Sequence, residues 1–203
     1  MNIKLDCIPC IFRQVLESAR MATDDKILIR EIMDEYAKMI PEIKDNTMAP
    51  IVAAKMQKII KDRTGVDDPY EDLKNKNLQR AKELIPEVKE EIERADDPLF
   101  SSLIMSAMGN SIDAGVSLNV DIESNIQSAL DNGFKYSDYD KFRLELKEAS
   151  ELLIIADNVG EALFDKILLK ELNNYDIKIS YAVRDNAVLN DISKKEATSL
   201  GID

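Results

Sequence analysis

Two short aliphatic runs, each followed by Asp and Asn, constrain this 203-residue chain more than any other feature. The first is Leu152-Leu153-Ile154-Ile155, followed by Ala156-Asp157-Asn158-Val159-Gly160-Glu161. The second spans residues 176–184 and leads into Asp185-Asn186 and then Asn190-Asp191. A short apolar run bounded by turn chemistry suits a strand buried in a parallel sheet. Residues 162–172 between the runs have a helical pattern, which predicts a strand–helix–strand unit with parallel strands. In open α/β sheets, ligands sit just outside the carboxyl ends of the strands. Taken alone, Asp157 reads equally well as a helix N-cap. Two Asp/Asn clusters after neighbouring strands point instead to one shared site.

The chemistry of that site is bounded by what the chain lacks. Carboxylates and a side-chain amide are hard oxygen donors that suit Mg²⁺, Mn²⁺ or a similar divalent ion. The chain has no histidine. That removes Ser-His-Asp and Cys-His catalysis and His-ligated zinc, leaving carboxylates, Lys, Tyr, Cys or metal-activated water for acid–base work. Cys7-Ile8-Pro9-Cys10 has the spacing of a redox pair or half a zinc site. With no second Cys pair and no His, a closed zinc site within one chain is not available, and a packing role ranks first. Net charge is −12, from 39 acidic and 27 basic residues, which argues against a nucleic-acid partner. Hydrophobic content of 45% and charged content of 33% fit a soluble globular protein. No apolar run approaches a membrane span and no signal-peptide pattern opens the chain, so a cytoplasmic protein with no membrane partner is expected.

Before the first strand the chain reads as helices. Residues 11–21, 27–39 and 50–60 have apolar residues at helical spacing, and Met33, Tyr36 and Met39 read as core. Asp68-Pro69-Tyr70-Glu71 is a helix start, with Asp as N-cap and Pro at the first helical position. The helix that follows runs to about Arg94, with Pro86 expected to interrupt it. Asp97-Pro98 starts a helix over 99–108 that Gly109 should stop. Asp121 is read as the cap of 122–131, and residues 138–151 as an amphipathic helix leading into the strand. Ser193-Lys194-Lys195-Glu196 is a capping box that opens a last helix. Two parallel strands with uncovered edges do not make a stable sheet, so further strands are expected beyond those present.

These residues resemble the DUF89 family of metal-dependent phosphatases, which are linked to metabolite damage control. The resemblance is carried by Asp157-Asn158-Val159-Gly160-Glu161 with Phe164-Asp165, and by Asn190-Asp191 with Glu196-Ala197. It continues in Gly109-Asn110-Ser111-Ile112-Asp113-Ala114-Gly115 and in Asp68-Pro69-Tyr70 with Lys74. Cys7-Ile8-Pro9-Cys10 looks like the mainly archaeal and bacterial branch. The motifs run through the chain in family order. The family's C-terminal Lys-Gly-x-Gly-Asn motif has no counterpart, so the resemblance implies a C-terminally truncated member whose activity is in doubt.

The resemblance implies an α/β fold, with a helical N-terminal region packed on a C-terminal α/β/α region whose parallel Rossmann-like sheet is incomplete. The division expected is a helical bundle region over 1–107 and a metal-site region over 108–203. Asp157, Asn158 and Asp191 would hold a divalent ion (Mg, Mn, Co or Ni), with waters in the remaining positions, and would serve catalysis together with Glu161. Glu161 reads equally as a helix-dipole partner. Asn110, Asp113 and Arg184 would lie on the substrate side; Asp113 is better suited to accepting hydrogen bonds than to meeting phosphate, and Arg184 could instead neutralise Asp185 or Glu161. The implied activity is hydrolysis of phosphomonoesters of small, damaged metabolites. One branch of the family is described as a protein-glutamate carboxyl methyltransferase, but no G-x-G loop supports a nucleoside cleft here. A helical interaction module whose Asp-Asn turns are only caps is the non-enzyme alternative. The partner expected is a small-molecule phosphate ester, and an oligomer is compatible with the sequence.

Overall fold

In the computed structural model the described residues are 2–44, 46–113, 128–130 and 132–202, without the side chains of 111–113. The expected cap Asp121 lies outside them, as does the side chain of Asp113. The fold is mostly helical, with one two-stranded parallel sheet among the described residues. Among these residues no helix is long and apolar enough to cross a membrane. The chain divides into two compact units.

The first unit comprises Met1–Leu73 and Ala187–Asn190. Its helices are α1 (Cys7–Ala22), α2 (Lys26–Met39) and α3 (Ala49–Thr64), with a 3-10 turn at Ile40–Glu42. Asp25 caps α2 by accepting from the backbone N–H groups of Ile27 and Leu28. Gly65 ends α3 in the left-handed conformation at φ +76°, its N–H bonded to Lys61 O at 2.8 Å. Val15, Ala19, Ile32, Tyr36, Val52, Met56 and Ile60 interdigitate as the core, with Met33 and Met39 packed against it. Phe12 meets Tyr36 edge to face at 5.7 Å. Cys7 opens α1, and both cysteines are free thiols.

The second unit comprises Lys74–Asn186 and Asp191–Asp203. Helix α4 (Glu71–Arg94), most of which lies here, runs unbroken through Pro86, so the expected interruption does not occur. Proline inside a helix costs about 3 kcal/mol. The buried residues Ala81, Val88 and Ile92 lie on both sides of Pro86 and hold both halves to one core. Helix α5 (Pro98–Asp113) likewise continues through Gly109, which does not stop it. After α6 (Tyr139–Glu148) come β1 (Glu151–Ile155), α7 (Glu161–Leu172), β2 (Lys178–Ala182) and α8 (Lys194–Ser199). Gly133, at φ +58°, follows the short helical stretch near 130, its N–H bonded to Ala129 O. The capping box at Ser193 and Glu196 opens α8 as predicted.

Strands β1 and β2 are parallel, with Leu152 opposite Ile179 and Ile154 opposite Tyr181. Leu152, Ile154 and Ile179 pack with Leu146, Leu168 and Leu172. The other face of the pair is not buried: Leu153 is 60% exposed and Ile155 78%. The runs, read from sequence as buried strands, are thus buried on one face only among the described residues. Their aliphatic continuity reflects β-propensity, while burial alternates with the pleat.

One buried group in the first unit is left unsatisfied. The Tyr36 hydroxyl has no hydrogen-bond partner among the described residues, and burial pushes its pKa up to about 12. Such an orphan costs about 1–3 kcal/mol. Tyr36→Phe should keep the contact with Phe12 and raise the thermal midpoint by about 2–4 °C, measured by circular dichroism.

Candidate functional site

Beyond the sheet the two strand ends rejoin. Ala156 N–H still bonds to Ala182 O at 3.0 Å, and then the chains diverge into their loops. They meet again in an antiparallel bridge between Asn158 and Asp191. Ile192 N–H donates to Asp157 O at 2.9 Å, Arg184 N–H to Ile192 O at 3.0 Å, and Lys194 N–H to Arg184 O at 2.8 Å. Val159, Ala162, Ile192 and Ala197 of these loops and the helices that follow them form a buried apolar cluster. Asp157, Asn158 and Asp191, distant in sequence, thus stand at one corner of the second unit.

Helix α5 supplies the next side chain. Asn110 donates its amide N–H to Asp157 Oδ2 at 2.8 Å and accepts from Asn158 Nδ2 at 3.0 Å. Asn158 Oδ1 in turn accepts from the backbone N–H of Glu161 at 3.2 Å. Asn158 is 4% exposed, and these bonds define which end of its amide is which. Gly109 permits the approach. A Cβ there would lie 2.8 Å from Phe164 Cδ2 and 2.9 Å from the Cα of Glu161. The residue read as a helix stop is the place where α5 and α7 touch.

Arg184 pairs with Asp191, its Nε 2.7 Å from Oδ2, and not with Asp185 or Glu161, the partners weighed from sequence. Burial raises the Asp191 pKa; the Arg184 guanidinium opposes the rise, and the charge of Asp157 adds to it. Asp157 and Asp191 are therefore close enough to repel. Glu161 opens the first turn of α7. Among the described residues no three Cys, Asp or Glu side chains stand together as a metal site. Two mutually repelling carboxylates and an amide oxygen still make a donor set that a hard divalent ion fits, with most positions filled by water.

Two buried charged residues of the second unit stand in motifs that carry the family resemblance, which gave neither of them a role. Asp165 on α7 is 1% exposed. It accepts from the hydroxyls of Ser106 on α5 and Tyr181 on β2, the latter at 2.6 Å. No Lys or Arg pairs with it among the described residues, and burial raises its pKa. Lys74 on α4 is 2% exposed and pairs with Glu196 at 3.4 Å. Each interrupts a helical apolar stripe with a charge, the one local sign that could have singled it out.

Residues 3–202 match the family model of the damage-control phosphatase ARMT1-like domain. A damage-control phosphatase of Archaeoglobus fulgidus is 29% identical over 210 residues, spanning 100% of this chain and 72% of that protein. A damage-control phosphatase of Pyrococcus horikoshii is 27% identical over 208 residues, spanning 100% of this chain and 71% of its own. The crystal structure of a DUF89 family protein from Pyrococcus horikoshii matches the fold with a TM-score of 0.84 at 24% identity, covering 100% of this chain and 71% of the other.

Two variants probe the α5–α7 contact. Gly109→Ala should cost about 2 kcal/mol in denaturant unfolding, because the new methyl meets backbone as well as a ring and the helices must separate. Asp165→Asn should stabilise. A carboxyl whose folded pKa is raised contributes stability below its unfolded pKa and loses it as pH rises through the folded one. The variant should therefore melt higher than the wild type at pH 7, with the gap closing toward about pH 4. Thermal melts across that range check the sign.

Proposed function

The chain belongs to the damage-control phosphatase ARMT1-like domain family, and we propose that it is a divalent-metal-dependent phosphatase that hydrolyses phosphomonoesters of small, damaged metabolites. Asp157, Asn158 and Asp191 would hold the ion, whether Mg²⁺, Mn²⁺, Co²⁺ or Ni²⁺. The observation that supports this is the bridge between Asn158 and Asp191, which gathers two carboxylates and an amide at the carboxyl ends of parallel strands. In the same reading β1 and β2 are part of a Rossmann-like α/β/α sheet.

When bound, a divalent ion supplies a Lewis acid for a phosphoryl oxygen and makes water a better nucleophile. The chain's own residues have distinct tasks. Asn110 orients both Asp157 and Asn158 through its amide. Arg184 holds one oxygen of Asp191 and would leave the other for the ion. Glu161, at the start of α7, is positioned by the Asn158 bond to its backbone and would take the proton of the attacking water. The water oxygen forms the new P–O bond, the ester P–O bond breaks, and the alcohol leaves with a proton.

A phosphatase panel with the metal varied, together with Mn²⁺ titration, tests the reading. Asp157→Ala and Asp191→Ala should each weaken Mn²⁺ binding by roughly a hundredfold or more, since even residues that only support ligands cost up to that much. Metal-dependent turnover should disappear in both variants while the circular dichroism spectrum is kept. Normal Mn²⁺ affinity in either variant would refute the ligand set.

A further inference from the structure

Helix α4 carries its buried residues Lys74, Ala81, Val88 and Ile92 along one stripe, with Leu78 and Ile85 on the same face. Lys74 therefore occupies a place where an aliphatic side chain would avoid the several kcal/mol that desolvating a charge costs. One turn on, Leu78 packs against Val159, Ala162, Ile192 and Ala197, the apolar cluster of the strand-end loops and the helices that follow them. Lys74 Nζ lies 3.4 Å from Glu196 Oε1, and Glu196 Oε2 accepts from Ser193 N at 2.9 Å, two residues past Asp191.

A phosphate ester reaching this corner meets the charges of Asp157 and Asp191, which repel it unless cations offset them. Phosphoryl transfer depends on positioned positive charge around the transferred group. Arg184 is 46% exposed and engaged with Asp191. Among the described residues Lys74 is the buried cation, held in a low-dielectric setting where its field is least screened. Its charge already acts on Asp191, favouring the ionised form.

We propose that Lys74 is the fixed cation that holds the phosphoryl group of the substrate at the Asp157–Asp191 corner. This rests on the phosphatase reading of the same site. Calorimetric titrations of the wild type, Lys74→Met and Lys74→Arg test it, first with Mn²⁺ and then with inorganic phosphate at saturating Mn²⁺. Met keeps the stripe filled, and Arg keeps the charge. Lys74→Met should weaken phosphate binding about tenfold or more, the worth of one charge-assisted contact. Its Mn²⁺ affinity should be unchanged or tighter, because a cation beside Asp191 opposes a second one. Lys74→Arg should keep phosphate within about threefold of the wild type. Equal phosphate affinity in the wild type and Lys74→Met overturns the proposal. So does a loss of Mn²⁺ and phosphate binding together with the thermal midpoint, the signature of a purely structural lysine. A wild type without a Mn²⁺ site overturns the metal reading instead, and the phosphate titration repeated without metal still decides the assignment of Lys74.

Discussion

Helix α5 crosses α7 so closely at Gly109 that any side chain there would strike Phe164 and the backbone of Glu161. This approach brings the polar groups on either side of Gly109 within reach of α7 and the strand loops. One turn toward the start of α5, Ser106 meets Asp165; just past the glycine, Asn110 meets Asp157 and Asn158. Helical spacing puts Ser106 and Asn110 on one face, as it does Glu161 and Asp165. Ile104, Met105, Phe164 and Ile167 fill the space between the helices with apolar side chains. Apolar packing supplies the adhesion, and the polar pairs set which turn of one helix faces which turn of the other.

The strand ends pose the opposite problem, because the acidic groups gathered there repel. Burial raises the pKa of Asp191 and the charge of Asp157 adds to the rise, while Arg184 and Lys74 oppose it. The backbone bridge at Asn158 and Asp191 holds the loops together against this repulsion. Interstrand bonds made by Asp157, Arg184, Ile192 and Lys194 surround that bridge. The carboxylates are thus held near each other by bonds that do not involve their side chains, an arrangement suited to a guest cation.

Buried charges repeat this logic away from the loops. Asp165 is satisfied by two hydroxyls and Lys74 by a carboxylate, and neither sits where burial alone would put it. A purely structural core would favour aliphatic residues at both positions.

Much of this was legible in local pattern. The helix start at Ser193, the core role of Tyr36 and the parallel pairing of β1 with β2 follow from capping chemistry and periodicity. These depend on neighbours within a few residues, and sequence records such neighbours directly. Other features escaped it. Gly109 reads as a stop because its use as a close-contact point depends on Phe164 and Glu161, which lie far along the chain. Pro86 reads as a break because the packing that carries α4 past it is tertiary. The exposed face of β1 could not be read from a run of aliphatic residues, since burial depends on what covers the pleat. Sequence alone determined the elements and the kind of donor atoms at the strand ends. Only the tertiary structure decided which partners Asn110, Lys74, Asp165 and Arg184 take, because contacts between distant residues arise from packing and have no periodic trace in the chain.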